Sequence, residues 1–284
     1  MSIECQPLTG VLGAEVRGVD LARLSDLELS HLREAMCRYE VLVLRDQSLD
    51  PAGQSAFSRR LGEPGEVPFV ATMHDQPDVI RVVKEADEGS AFNFGGAWHS
   101  DFSFQSNPPA FTVLRAVDIP PYGGDTVFAS MTAAWAALPE SMQQSLLDVR
   151  AVHTARDAYS RRLQPVHSGM RNMVITCDDT ALETQIHPLV TRHPETNKEV
   201  LFFNRAYVRD IEGLSEDEAR GLIDFLHTHT TDVRFTYRHR WLPGDIVIWD
   251  NRSTQHYALN DYSGFRRELH RTTVAGSSPC AASA

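Results

Sequence analysis

The chain has 284 residues, 42% aliphatic or aromatic and 23% charged, a globular mixture that excludes a disordered polymer. Its 38 acidic against 27 basic side chains leave a net charge of −11, which repels phosphate backbones and anionic lipid and sets nucleic-acid and membrane-surface roles aside. The longest apolar run, Ala133 to Leu138, falls far short of the ~20 residues a spanning helix needs. In chain order, apolar spacing predicts a helix over Ser25 to Tyr39, followed by a strand, Val41 to Leu44. Asp50-Pro51 gives an N-cap with proline at the first turn and opens a helix to Leu61. Strands are expected over Val79 to Val83, Ala110 to Val117 and Asp125 to Ala129. A helix over Thr132 to Val149 should break at Pro139. A strand from Val200 to Phe203 precedes a capping box, Ser215 to Glu218, that opens a helix toward His227. Strands over Val233 to Tyr237, Asp245 to Trp249 and Leu269 to Val274 complete the pattern. The small residues of GSSPCAASA read as a frayed tail.

No linker or repeat divides the chain, so residues 1–276 are expected to form one domain and 277–284 a flexible tail. Many short strands with helices before and between them suggest a β-sandwich or barrel flanked by helices. GxGxxG, GxxxxGK[ST] and GxSxG are all missing, which removes the main supports of nucleotide-binding and serine-hydrolase readings. The opening MSIECQPLTG has no basic n-region or apolar h-region. Cys5, Cys37, Cys177 and Cys280 form no CxxC pair, so a cytoplasmic protein with reduced thiols is expected.

The most informative segment is Gly95-Gly96-Ala97-Trp98-His99-Ser100-Asp101-Phe102. In a strand, residues two apart share a face, so His99 and Asp101 would present an imidazole and a carboxylate side by side. Those are two-thirds of the facial triad that holds non-haem Fe(II) with open positions. A suitable third ligand is His256, where the strand DIVIW ends in the turn DNR and a second strand begins. Taken alone, His99-x-Asp101 equally suits a buried hydrogen-bonded pair. His31, His74, His193, His227 and His229 read as solvated. Beyond His256, Arg267 and Arg271 lie four apart on one strand and should point the same way, toward one cavity, where two guanidinium groups require anions. Surface salt bridges are the competing reading of that pair.

WHSDFSFQSNPPAFTVLRAVDIPPYGGDTVFAS and WLPGDIVIWDNRSTQHYALNDYSGFRRELHRTTVAG resemble the taurine dioxygenase family of Fe(II)/2-oxoglutarate-dependent oxygenases, and the likeness runs from about Val41 to Gly276. It implies a mainly β fold, a double-stranded β-helix (jelly roll) core with flanking α-helices. Residue by residue, it implies His99, Asp101 and His256 as iron ligands and catalytic centre, and Thr126 and Arg267 as partners of the distal carboxylate of 2-oxoglutarate. Arg271 matches the arginine that holds the anionic group of the substrate, and Trp249 looks like packing behind the ligands. The implied cofactors are Fe(II), 2-oxoglutarate and O2. The implied reaction hydroxylates an aliphatic C–H of a small anionic substrate: a sulfonate, sulfate ester, carboxylate or phosphonate. Asp101 is a carboxylate, so the halogenase variation does not apply.

The chain also departs from taurine dioxygenase itself. A His and a Tyr that line the substrate site there correspond to Val67-Pro68-Phe69-Val70-Ala71, and an Asn four residues before the first ligand is Gly95. With Phe94, Phe102 and Phe104 nearby, and Phe94 and Phe104 expected against the substrate, this implies an apolar anion rather than taurine. A homo-oligomer, dimer or tetramer, is expected. The rival functions are a natural-product tailoring oxygenase (desaturation or isonitrile formation), a non-catalytic jelly-roll metal-binding protein, and a zinc hydrolase, which leaves both arginines unexplained.

Overall fold

The structure, a computed structural model, describes residues 3–89 and 93–283. The strands are β1 (Glu4–Pro7), β2 (Ala14–Arg17), β3 (Val41–Leu44), β4 (Ile80–Lys84), β5 (Phe111–Asp118), β6 (Thr126–Ser130), β7 (Arg150–Thr154) and β8 (Thr184–Pro188). After these come β9 (Val190–Arg192), β10 (Glu199–Leu201), β11 (Val208–Ile211), β12 (Thr236–His239), β13 (Ile246–Asp250), β14 (Thr254–Ala258) and β15 (Arg267–Val274). The helices are α1 (Asp26–Tyr39), α2 (Pro51–Leu61), α3 (Met131–Ala136), α4 (Glu140–Leu146), α5 (Arg156–Tyr159), α6 (Gln164–His167) and α7 (Glu216–Thr230).

Local chemistry starts the helices where the sequence marks them. Ser25 and Glu28 form a reciprocal capping box on α1, and Ser215 and Glu218 do the same on α7. Asp50 accepts from Gly53 N at 2.7 Å ahead of Pro51, and Pro139 separates α3 from α4. One expected strand starts late. Asp232 Oδ1 accepts from Arg234 N at 2.9 Å, which winds Val233–Phe235 into a 3-10 turn before β12 begins at Thr236.

A seven-stranded sheet runs in the order β1-β2-β3-β13-β5-β15-β4, and a three-stranded sheet in the order β12-β6-β14. The central strands VLVL and IVIWD are buried at every position because both of their faces are covered. Leu42, Leu44, Ile246 and Ile248 pack with α1 and α2 residues such as Leu32, Met36 and Phe57. Val41, Val43, Val247 and Trp249 face the other way and pack with Phe128 of β6. β14 and β15 carry His256, Arg267 and Arg271 of the site. The tail corrects its expectation: Ala281 bridges Thr191, Ala282 N donates to Val190 O at 3.1 Å, and Ala282 is buried, because β9 offers it an open edge.

Candidate active site

β14 delivers His256 from the tight turn after β13. Asp250, fully buried at the end of β13, ties that turn down by pairing with Arg252 and by accepting from His193 Nε2 at 3.0 Å. His193, expected in solvent, is therefore buried by this role. His99 pairs with His256 in an isolated antiparallel bridge, with His99 N donating to His256 O at 3.0 Å and His256 N to His99 O at 2.8 Å. The strand expected through His99 and Asp101 is absent. Asp101 lies in a turn that continues through Phe102, whose φ of +47° bends the chain away.

The turn nonetheless brings the three side chains together. Their ligating atoms lie within 4.8 Å of one another, all three residues are buried, and Asp101 Oδ1 is 3.7 Å from His99 Nε2 and 3.9 Å from His256 Nε2. His99 Nδ1 donates to Ala97 O at 2.7 Å, leaving the Nε2 lone pair free to ligate. Burial holds both imidazoles below their ordinary pKa, hence neutral. Burial would raise the Asp101 carboxyl, but the Arg271 guanidinium, helped by the Thr112 hydroxyl, outweighs it and brings it down to about 2. Two neutral imidazoles and one ionised carboxylate on one side of a hollow are a donor set suited to Fe(II). Thr112 Oγ1 donates to Asp101 Oδ2 at 2.6 Å, and Asn251 bonds Thr112 Oγ1, Trp249 Nε1 and Asp101 N. Trp249 also packs its ring 4.6 Å from that of His256.

Arg271 Nη1 donates to Asp101 Oδ1 at 3.0 Å, while its Nε and Nη2 are buried without a partner. It lines a cavity of about 390 Å³ with His99, Asp101, Phe94 and Phe102, and lies over the rings of Phe102 (4.9 Å) and Phe94 (5.7 Å). Arg267 does not share that cavity, contrary to expectation. Four residues along an extended strand are ~13 Å, and Arg267 lines an adjoining smaller hollow whose wall includes Asn93 and Phe94, which also line the main cavity. Arg267 is buried with Nε and Nη2 unpartnered. Gly124, at φ +67°, presses against it, since an added Cβ would meet Arg267 Cδ and Nε at 3.0 Å. Two residues on, Thr126 Oγ1 accepts from Trp241 Nε1 at 3.0 Å, which leaves its own hydrogen to donate. Phe104 is also displaced from the cavity wall: it stands behind Tyr207, with ring centroids 4.9 Å apart, and Phe102 takes the lining position.

Two lining residues escape the sequence reading. Tyr159 and Tyr207 are buried and line the cavity. Burial raises Tyr159 to about 12 and Tyr207 well above its usual value, so both keep their protons. Asn204 fixes Tyr207 to the ligand turn, accepting from Tyr207 N at 3.0 Å and donating to Ser103 Oγ at 2.8 Å. The only trace of this in the sequence is the run Phe203-Asn204-Arg205-Ala206-Tyr207, which has no periodicity to mark it.

A buried His-x-Asp and His cluster beside paired, anion-seeking arginines defines a non-haem iron oxygenase site. The model of the taurine catabolism dioxygenase TauD, TfdA family matches residues 4–273, and the chain belongs to that family. It is 34% identical to an alpha-ketoglutarate-dependent sulfate ester dioxygenase of Pseudomonas putida, over 98% of this chain and 91% of that protein. It is equally 34% identical to an alpha-ketoglutarate-dependent 2,4-dichlorophenoxyacetate dioxygenase of Cupriavidus pinatubonensis, over 96% and 98%. Among solved structures, a taurine dioxygenase from Burkholderia xenovorans superposes with a TM-score of 0.81 at 32% identity, covering 99% of this chain and 93% of that one. The chain is a 2-oxoglutarate-dependent dioxygenase using Fe(II) and O2. No helix among the described residues is long and apolar enough to cross a membrane.

Proposed function

We propose that this enzyme hydroxylates an aliphatic C–H of a small, largely apolar anion, a sulfate ester, sulfonate, carboxylate or phosphonate, and that taurine is a poor substrate. The observation that carries this reading is Arg271, buried beside Asp101 with two unpartnered N–H groups on a cavity whose wall includes Phe94, Phe102, Tyr159 and Tyr207, and whose other lining charges, Asp157 and Arg209, already pair with each other. An anion there satisfies the guanidinium and sets the distance from the charged group to the C–H near the ligands. The Tyr159 and Tyr207 hydroxyls, which keep their protons, line the same cavity and can donate to that anion. Taurine's ammonium would lose hydration without gaining a free partner, because Asp157, the lining carboxylate outside the ligand cluster, is already shared by Arg162 and Arg209.

His99, Asp101 and His256 would hold the iron, and Thr126 and Arg267 the distal carboxylate of 2-oxoglutarate. When bound, Fe(II) with 2-oxoglutarate and O2 supplies the oxidant, leaving succinate and CO2. The phenylalanines exclude water from the reacting carbon. Where that carbon carries a sulfate ester, sulfonate or ether oxygen, the hydroxylated product collapses to a carbonyl and releases the heteroatom group. The two sheets are read as the walls of a double-stranded β-helix, and the enzyme as a cytoplasmic homo-oligomer whose stoichiometry light scattering measures.

A substrate panel tests the proposal through 2-oxoglutarate-dependent succinate formation. Pentanesulfonate, an alkyl sulfate or a phenoxyacetate should exceed taurine in kcat/KM. Taurine emerging best would overturn the pocket reading, and no response to any anion would overturn the substrate class.

A further inference from the structure

The hollow that holds Arg267 contains a second cation. In the antiparallel β4–β15 pair, Lys84 stands directly opposite Arg267. Directly opposed residues project from the same face of a sheet, and like charges in that position destabilise it. Both cations also lie against one buried ring, with Lys84 Nζ 4.7 Å and Arg267 Cζ 5.8 Å from the centroid of Tyr262. The ammonium donates to Asn260 Oδ1 at 2.5 Å, and Arg267 has two buried N–H groups without partners. The acids nearby are shared with other cations. Glu88, on the same wall, also faces the Arg171 guanidinium at 3.8 Å, Asp125 pairs with Arg238 at 2.6 Å, and Asp261 accepts from Gly124 N at 2.8 Å and faces Arg238 at 3.4 Å.

Two cations facing each other across a ladder, over a hollow that adjoins the cavity of His99 and Asp101 through Asn93 and Phe94, call for an anion between them. We infer that Lys84 is a second binding residue for the distal carboxylate of 2-oxoglutarate, completing with Arg267 a two-cation clamp that selects dicarboxylic 2-oxo acids. The inference rests on the co-substrate reading above and adds a residue to it. Lys84 at the rim and Arg267 within would grip the carboxylate from both sides, with the Tyr262 ring holding the two charges apart.

Calorimetric titration of the Mn(II)-loaded protein tests this with two unreactive probes. N-oxalylglycine carries both a chelating end and a distal carboxylate, whereas oxalate carries the chelating end alone. Lys84→Met should raise the Kd of N-oxalylglycine about five- to twentyfold, leave that of oxalate within about twofold, and flatten the salt dependence of the former. Lys84→Arg should restore most of the loss. An unchanged Kd for N-oxalylglycine, or an equal loss for both probes, overturns the clamp, the second outcome meaning that Lys84 only braces the Asn260 loop. Arg267→Met separates the two levels. If that variant binds N-oxalylglycine as the parent does, the co-substrate seat itself is misplaced.

Discussion

Replacing Arg271 with leucine separates two roles that its geometry joins. Its Nη1 bonds Asp101 Oδ1, the oxygen that also faces both imidazoles, while Nε and Nη2 are buried at the cavity wall without a partner. A charge-assisted hydrogen bond contributes about 1.5–3 kcal/mol, so loss of the substrate's anion contact should raise the substrate KM about 10- to 150-fold. Metal binding should not follow. Asp101 keeps the Thr112 hydroxyl at 2.6 Å, and its Oδ1 is released to the metal. Mn(II) affinity, read by calorimetry, should thus stay within about threefold of the parent or improve, while succinate formation at fixed low substrate collapses. Arg271→Lys should fall between the two, since it keeps the charge without the fork. Mn(II) binding lost in parallel with activity would mean that Arg271 mainly orients Asp101, and an unchanged KM would remove it from the substrate site.

Arg267→Met and Thr126→Val should each raise the 2-oxoglutarate KM, the first by about one to two orders of magnitude, with little change in the KM of the anionic substrate, as steady-state kinetics can verify. Burial pushes the Glu40 carboxyl up to about 7, against the help of Ser130 and Thr132, so folded Glu40 holds a proton that the unfolded chain has released. Stability from this group is therefore present below about pH 4.5 and falls as pH rises through 7. Glu40→Gln should gain up to about 3 kcal/mol over the parent at pH 8 and little at pH 4, and equal denaturant midpoints at pH 8 would refute it. Gly276→Ala should lower Tm by about 4–8 °C or prevent folding, because its Cβ would fall 2.1 Å from Pro108 O, and thermal melts decide it.

Alternating and all-apolar strands were readable because each face of β3 and β13 meets a different layer, and helix starts because Ser25, Asp50 and Ser215 carry their own caps. The clustering of His99, Asp101 and His256 was readable from residue type and from resemblance, although the strand argument for Asp101 failed. Phe102 adopts a left-handed conformation that no periodicity announces, and the turn delivers Asp101 by a route pattern reasoning does not describe. Arg267 and Arg271 were readable as buried, but the partition between them depends on Asn93 and Phe94, which come from another part of the chain. Tyr159, Tyr207 and Lys84 gain their roles only through tertiary neighbours.

The backbone bridge between His99 and His256 joins positions 157 residues apart, and β15, carrying both arginines, inserts between β5 and β4, which precede it by well over a hundred residues. Contacts so distant form late in folding. A partly folded chain therefore holds at most two of His99, Asp101 and His256 in place, with neither Arg267 nor Arg271 yet seated in the sheet. On the assignment proposed above, iron has no complete berth until the sheet has closed, so order of assembly itself keeps the unfinished chain from the chemistry the finished one performs.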